Sequence, residues 1–191
     1  MTNRADPKGR LQLVLLAAIF FGPLLFAAWL YFSGQGLQPE GRVNHGALLE
    51  PIVAIADAVP ESAIFSHNIG HWLLVYSNTG DCDDACRDAL YTMRQSRLML
   101  GKEMDRVKRV FLHGDSAPDT VFLADEHQGL ISLQDGALAA LLDDKRPESL
   151  AAVGYFLVDP ISNLVVYFPP DIEPSNMVDD LKRLLKLSRI G

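Results

Sequence analysis

From Leu11 to Phe32 the sequence LQLVLLAAIFFGPLLFAAWLYF runs for 22 positions without a charged residue. At 1.5 Å per residue such a helix reaches about 33 Å, enough to cross a hydrocarbon core of roughly 30 Å. Pro23 sits mid-span, where it bends a membrane helix without forbidding it. Trp29 and Tyr31 lie at the C-terminal end, where amphipathic rings favour the membrane interface. The rest of the chain alternates shorter patterns. Trp72-Leu73-Leu74-Val75-Tyr76 is a continuous apolar run, the mark of a strand buried on both faces, and it ends in the turn residues Ser77-Asn78-Thr79-Gly80-Asp81. A helix-forming stretch follows, with Ala85, Ala89, Met93 and Leu100 as an apolar stripe that Ser96 interrupts. Val107–Leu112 reads as a second strand.

The middle of the chain is less patterned. Leu48–Val59 reads as a strand or short packing segment closed by Pro60, while Asp119–Leu123 and Leu130–Leu133 are short apolar pieces around Asp125-Glu126-His127. Ala137–Leu142 reads as a helix stopped by Asp143-Asp144 and Pro147. A hairpin is then well marked, with Val153–Val158 and Leu164–Phe168 flanking Asp159-Pro160-Ile161-Ser162-Asn163. Asn176 to Ser188 closes the chain as an amphipathic helix with Met177, Leu181, Leu184 and Leu185 on one face. The order strand, helix, strand, then hairpin and helix gives an α/β fold with a mixed sheet, parallel at its start and antiparallel at its finish. That is a thioredoxin-like mixed sheet flanked by helices, preceded by one N-terminal transmembrane helix.

Charge orients this layout. Arg4, Lys8 and Arg10 precede the span and only Asp6 offsets them, so residues 1–10 are expected on the cytoplasmic side. The apolar run exceeds the roughly 7–15 residues of a signal-peptide core, which favours an uncleaved anchor over 11–32. Residues 33–47, rich in Gly and Gln, then form a linker, and 48–191 a thioredoxin-like domain on the periplasmic side of a bacterial-type inner membrane. Setting aside Arg4, Lys8, Arg10 and Asp6, the exported part holds 14 basic and 23 acidic residues, a net charge of −9. That surface repels phosphate backbones and excludes nucleic acid as a partner.

The chemistry concentrates on Cys82 and Cys86, placed where the first apolar strand hands over to a helix. Unpaired N–H groups and the helix dipole there favour thiolate, the nucleophile and metal ligand, whereas Asp81, Asp83, Asp84 and Asp88 oppose it and Arg87 partly offsets them. A spacing of four puts both sulfurs on one side of the first turn, able to close a disulfide or hold one soft metal ion. So short a loop gains little from a purely structural bridge.

The stretch HWLLVYSNTGDCDDAC resembles the Sco family of thioredoxin-fold copper proteins, and GYFLVDPISNLVVYF resembles that family's closing hairpin. The resemblance implies assistance to copper-centre assembly in cytochrome c oxidase. It makes Cys82 and Cys86 the redox or copper-ligating pair and an oxidase subunit, or another membrane-bound protein, the partner. Three departures mark the chain as divergent. Arg87 stands where the family has a proline, the stretch before the hairpin looks shorter, and Glu148-Ser149-Leu150-Ala151-Ala152 offers no histidine where the family's third ligand is expected. His113, at the end of the second strand, is the substitute considered for copper, with His127 behind it; His67 and His71 precede the first strand and fall at the opposite end of the sheet. A thiol–disulfide oxidoreductase proper, and a degenerate domain acting by protein contact alone, are the alternatives. The first lacks the C-x-x-C spacing of its class; the second would leave oxidase assembly unchanged when both cysteines are replaced by serine.

Overall fold

The structure, a computed structural model, describes residues 7–32, 44–116, 119–148, 150 and 153–188. Arg4, Asp6, most of the expected linker (33–43), Ser149, Ala151 and Ala152 lie outside the described residues. The chain divides into two units, Met1–Arg42 and Val43–Gly191.

The first unit contains the helix α1 (Pro7–Phe32), with Pro23 inside it. Its stretch Lys8–Leu30 is long and apolar enough to cross a membrane by length and composition. Leu13, Phe20, Leu24 and Phe32 are among the large side chains it exposes. A helix apolar on every side has no single face to bury against a soluble core, as a lipid-facing element requires.

In the second unit the described residues form one six-stranded sheet in the order β1-β6-β5-β2-β3-β4. The strands are β1 (Ala47–Ala54), β2 (Trp72–Asn78), β3 (Val107–His113), β4 (Leu130–Gln134), β5 (Tyr155–Val158) and β6 (Asn163–Phe168). β2 pairs in parallel with β3, and β3 with β4, whereas β5 pairs antiparallel with β2 and β6, and β6 with β1. The mixed sheet read from the sequence is therefore the one observed. β2 lies centrally, and Trp72–Tyr76 are all buried, as a strand covered on both faces demands.

Alternation along the strands divides the core. Leu74, Tyr76, Phe111, Tyr155 and Phe168 face α4 (Asp84–Met99) and α7 (Pro174–Leu187), and Leu73, Val75, Val110, Leu112 and Phe156 face α6 (Gly136–Lys145) on the other side. The unpatterned middle resolves into α5 (Thr120–Glu126) and β4. Leu48–Val59 resolves into the edge strand β1 and the single helical turn α2 (Ile55–Ala58), with the register shifting between Leu48 and Val53. Pro51 falls in that shift, where an edge strand accommodates a residue with no N–H. A second short turn, α3 (Phe65–Asn68), precedes β2. Buried Asp180 of α7 fastens the entry to β1, its carboxylate accepting the backbone N–H groups of His45 and Gly46 at 2.8 Å each.

Candidate functional site

β2 delivers the chain to its own C-terminal edge, and α4 begins six residues after the strand ends. Asn78 holds the connecting loop, accepting the Gly80 N–H at 3.0 Å and donating to the Asp81 carbonyl at 3.4 Å. Asp83 is the N-cap of α4 and accepts the backbone N–H of Cys86 at 3.0 Å, satisfying one of the donors that a helix start leaves open. The Asp83 carboxylate beside the cysteines is thus part of the helix start itself. Gly114, just after β3, presses against this loop, and a Cβ there would collide with the Thr79 carbonyl. Only glycine permits that approach.

Cys82 and Cys86 form a disulfide with a Cα–Cα distance of 5.1 Å. Their environments differ. Cys82 is half-buried in the loop, whereas Cys86 is 1% exposed and packs in the core between the sheet and α4. Beside the bridge runs an open groove of about 720 Å³, lined by Tyr76, Asn78, Asp81, Asp83, Cys86, Asp88 and Asp171, among others. The groove carries a strongly acidic rim over a buried aromatic floor. Burial, and secondarily the Asp83 carboxylate, pushes the Tyr76 phenol up to about 12. Tyr155 is shifted the same way, chiefly by burial, and its hydroxyl donates to the Ala89 carbonyl at 3.2 Å. Both phenols stay neutral at physiological pH and supply no acid or base to the sulfurs.

Arg87, expected to offset the carboxylates in part, takes part in none of the ion pairs among the described residues. Its guanidinium lies 4.4 Å over the Phe122 ring of α5, a cation–π contact. Its backbone N–H donates to the Asp83 carbonyl at 3.0 Å, a bond that a proline at this position would forfeit.

The candidate third ligand sits elsewhere. His113 ends β3 opposite Asn78, its Nδ1 lies 2.7 Å from the Gly114 carbonyl, and it lines a separate cavity with His127, Leu123 and Leu130. Among the described residues no group of three or more His, Cys, Asp or Glu side chains could hold a metal ion, so Cys82, Cys86 and His113 do not form one. His67 and His71 lie before β2, at the end of the strand away from the cysteines. The feature that sequence reasoning missed is Arg109 of β3, which is 4% exposed. Its signal was a charge inside the run VKRVFL, at a position that alternation sends into the core.

Known proteins share this fold. Yeast Sco1 is similar at 18% identity, over 65% of this chain and 85% of that chain, with a TM-score of 0.52. Copper-bound ScoI of Arabidopsis thaliana is similar at 17% identity, over 65% and 89%, with a TM-score of 0.50. At such identities the likeness is one of fold. No curated protein matches the chain in sequence. A transmembrane-like N-terminal domain family matches residues 3–34, and the family described as transmembrane-like, thioredoxin-like, C-terminal domain matches residues 72–188, more than half of the chain. The strand-to-helix cysteine pair and the strands β2 to β6 lie within the second match, and the chain belongs to this transmembrane-like, thioredoxin-like family.

Proposed function

We propose that the chain is a membrane-tethered thiol–disulfide exchange protein that assists cytochrome c oxidase assembly on the periplasmic face of a bacterial-type inner membrane. The observation that carries this reading is the asymmetric disulfide: Cys82 only partly buried in the loop, and Cys86 buried in the core while lining an open groove. The apolar α1 supports a tether, which raises effective concentration near a membrane-bound partner without new contacts. The Sco-like fold supports the choice of partner.

In the reduced protein the Cys82 thiolate attacks a partner disulfide, forming a mixed disulfide and releasing one partner thiolate. The Cys86 thiolate then attacks the Cys82 sulfur, closing the bridge and releasing the second partner thiolate. Two electrons pass from the cysteine pair to the partner, and the two released thiolates take up the protons lost by Cys82 and Cys86. An exported dithiol reductant returns the bridge to the thiol form. The full-length chain, reduced and assayed against a disulfide-bonded peptide, loses turnover in Cys82→Ser, whereas Cys86→Ser accumulates the mixed disulfide. Turnover that survives both substitutions overturns the reading.

A second reading rests on the same sulfurs. Reduced, they present two adjacent thiolates, donors suited to Cu(I) as cargo, and the similar Arabidopsis thaliana ScoI is a copper-bound structure. Among the described residues none completes a resident three-ligand centre with the two cysteines. Under this reading Cu(I) titration of the reduced chain saturates at one ion per cysteine pair and is unchanged in His113→Ala. Failure of the reduced chain to bind Cu(I) removes it.

A further inference from the structure

Eight residues beyond Cys86, about 12 Å along the axis of α4, lies a cavity that the disulfide chemistry does not use. It measures about 310 Å³, and its polar lining is Arg94, Arg97, Arg109, Asp125, Glu126 and Gln128. That volume is at the small end of the roughly 300–1,000 Å³ of ligand sites.

Arg109 is the anomaly. It is 4% exposed, its Nη2 donates to the Gln128 carbonyl at 2.6 Å, and its Nε and Nη1 reach no partner. It takes part in none of the ion pairs among the described residues. A buried charge is costly unless paired, and buried donors are costly unless bonded. The charges nearest to it of its own sign make matters worse: burial first, then Arg97 and Arg94, bring the Arg109 pKa down to about 10. Arg97 is already engaged, its Nε with the Val107 carbonyl at 2.7 Å and its Nη2 with Asp105 at 3.3 Å. Arg94 makes one long, half-exposed contact with Glu126 at 3.4 Å. Two guanidinium groups with donors that no protein acceptor uses therefore line one cavity, and a guanidinium fork matches a tetrahedral oxyanion.

We propose that this cavity binds a phosphate group, held by Arg109 from within and by Arg94 at the rim, with the phosphate taking the place of Glu126 on Arg94. The group comes either from a soluble phosphate or from an anionic lipid headgroup. Its chemistry is the same in both cases, and it is independent of the cysteine pair.

The test uses the full-length chain. In neutral-detergent micelles it is titrated with inorganic phosphate against chloride of equal ionic strength. In parallel it is placed in nanodiscs with and without phosphatidylglycerol. The readout is the thermal unfolding midpoint, which rises saturably when a ligand binds the folded state. A rise with phosphate identifies a soluble ligand, and a rise only with phosphatidylglycerol identifies a headgroup. In the arm that responds, Arg94→Gln weakens apparent affinity by about tenfold, as expected for a lost charge-assisted bond, and Arg109→Met abolishes the response. Glu126→Gln tightens binding, because it removes the competing carboxylate. Arg94 and Glu126 are partly exposed, so these two variants keep the test decisive if Arg109→Met fails to fold. The proposal falls if neither source shifts the midpoint, if chloride reproduces the shift, or if Arg94→Gln and Glu126→Gln leave the affinity unchanged.

Discussion

The two halves of α4 carry opposite charge and reward opposite explanations. Asp83, Asp84 and Asp88 gather at its start, and Arg94 and Arg97 in its second half. A helix dipole alone favours that polarity, anionic first and cationic last. At the start the local account nearly suffices, since Asp83 is consumed as the cap. In the second half it does not. Arg97 has its partners, but Arg109 beneath it is buried with two open donors, and no dipole requires that. Charge pattern alone is therefore a weak pointer to a site. A buried donor without a partner is a stronger one.

Three experiments press on this contrast. Met93 lies between the two halves and is fully buried. Met93→Ala is expected to cost about 2–5 kcal/mol in chemical denaturation, as for other large-to-small core changes, and to weaken exchange and phosphate affinity together. Asp83→Ala separates the halves. It is expected to cost about 1 kcal/mol through the lost cap, and to lower the pKa of the reduced Cys82 thiol by removing a nearby carboxylate. The pH dependence of Cys82 alkylation measures that shift, while phosphate affinity stays unchanged.

The smallest effect concerns His127, which is 3% exposed, edge-on to Phe122 with centroids 4.9 Å apart. Burial first, then Arg109 and Arg94, hold its pKa below 6.5, and Glu126 only partly opposes them. The unfolded chain thus binds a proton that the folded chain refuses, so this stability is complete above pH 6.5 and is lost as pH falls through the lower folded value. Across that window the denaturation midpoint of the wild type should fall relative to that of His127→Leu on acidification. A constant gap between them refutes the assignment.

How far the sequence alone carried the fold follows from how each segment is buried. β2 and the β5–β6 hairpin are covered on both faces and read as unbroken apolar runs. α7 buries one stripe and reads at helical period. β4 is a five-residue edge strand with no fully buried residue, and α5 is a seven-residue helix with none either, so neither leaves a periodic trace. A capping signal was present for α5, since Asp119 accepts the N–H groups of Val121 and Phe122 at 3.0 and 3.1 Å. Ser96, read as a break in the α4 stripe, is fully buried on that helix. At the site, C-x-x-x-C after a strand was legible because local spacing fixes it. The arginine cavity was not, because Arg109 meets Arg94 only through the packing of β3 beneath α4.

Gly114 lets the loop that leads to Cys82 sit directly against the end of β3. Because the Thr79 carbonyl occupies the space a side chain would need at position 114, the crest that bears Cys82 is registered against the crest leaving β3. Opening the bridge can loosen the helical flank of that crest, but its strand flank is held by a neighbour that has no atoms left to give up. Under the proposed exchange chemistry, the Cys82 sulfur is thus offered from a loop whose strand side cannot recede.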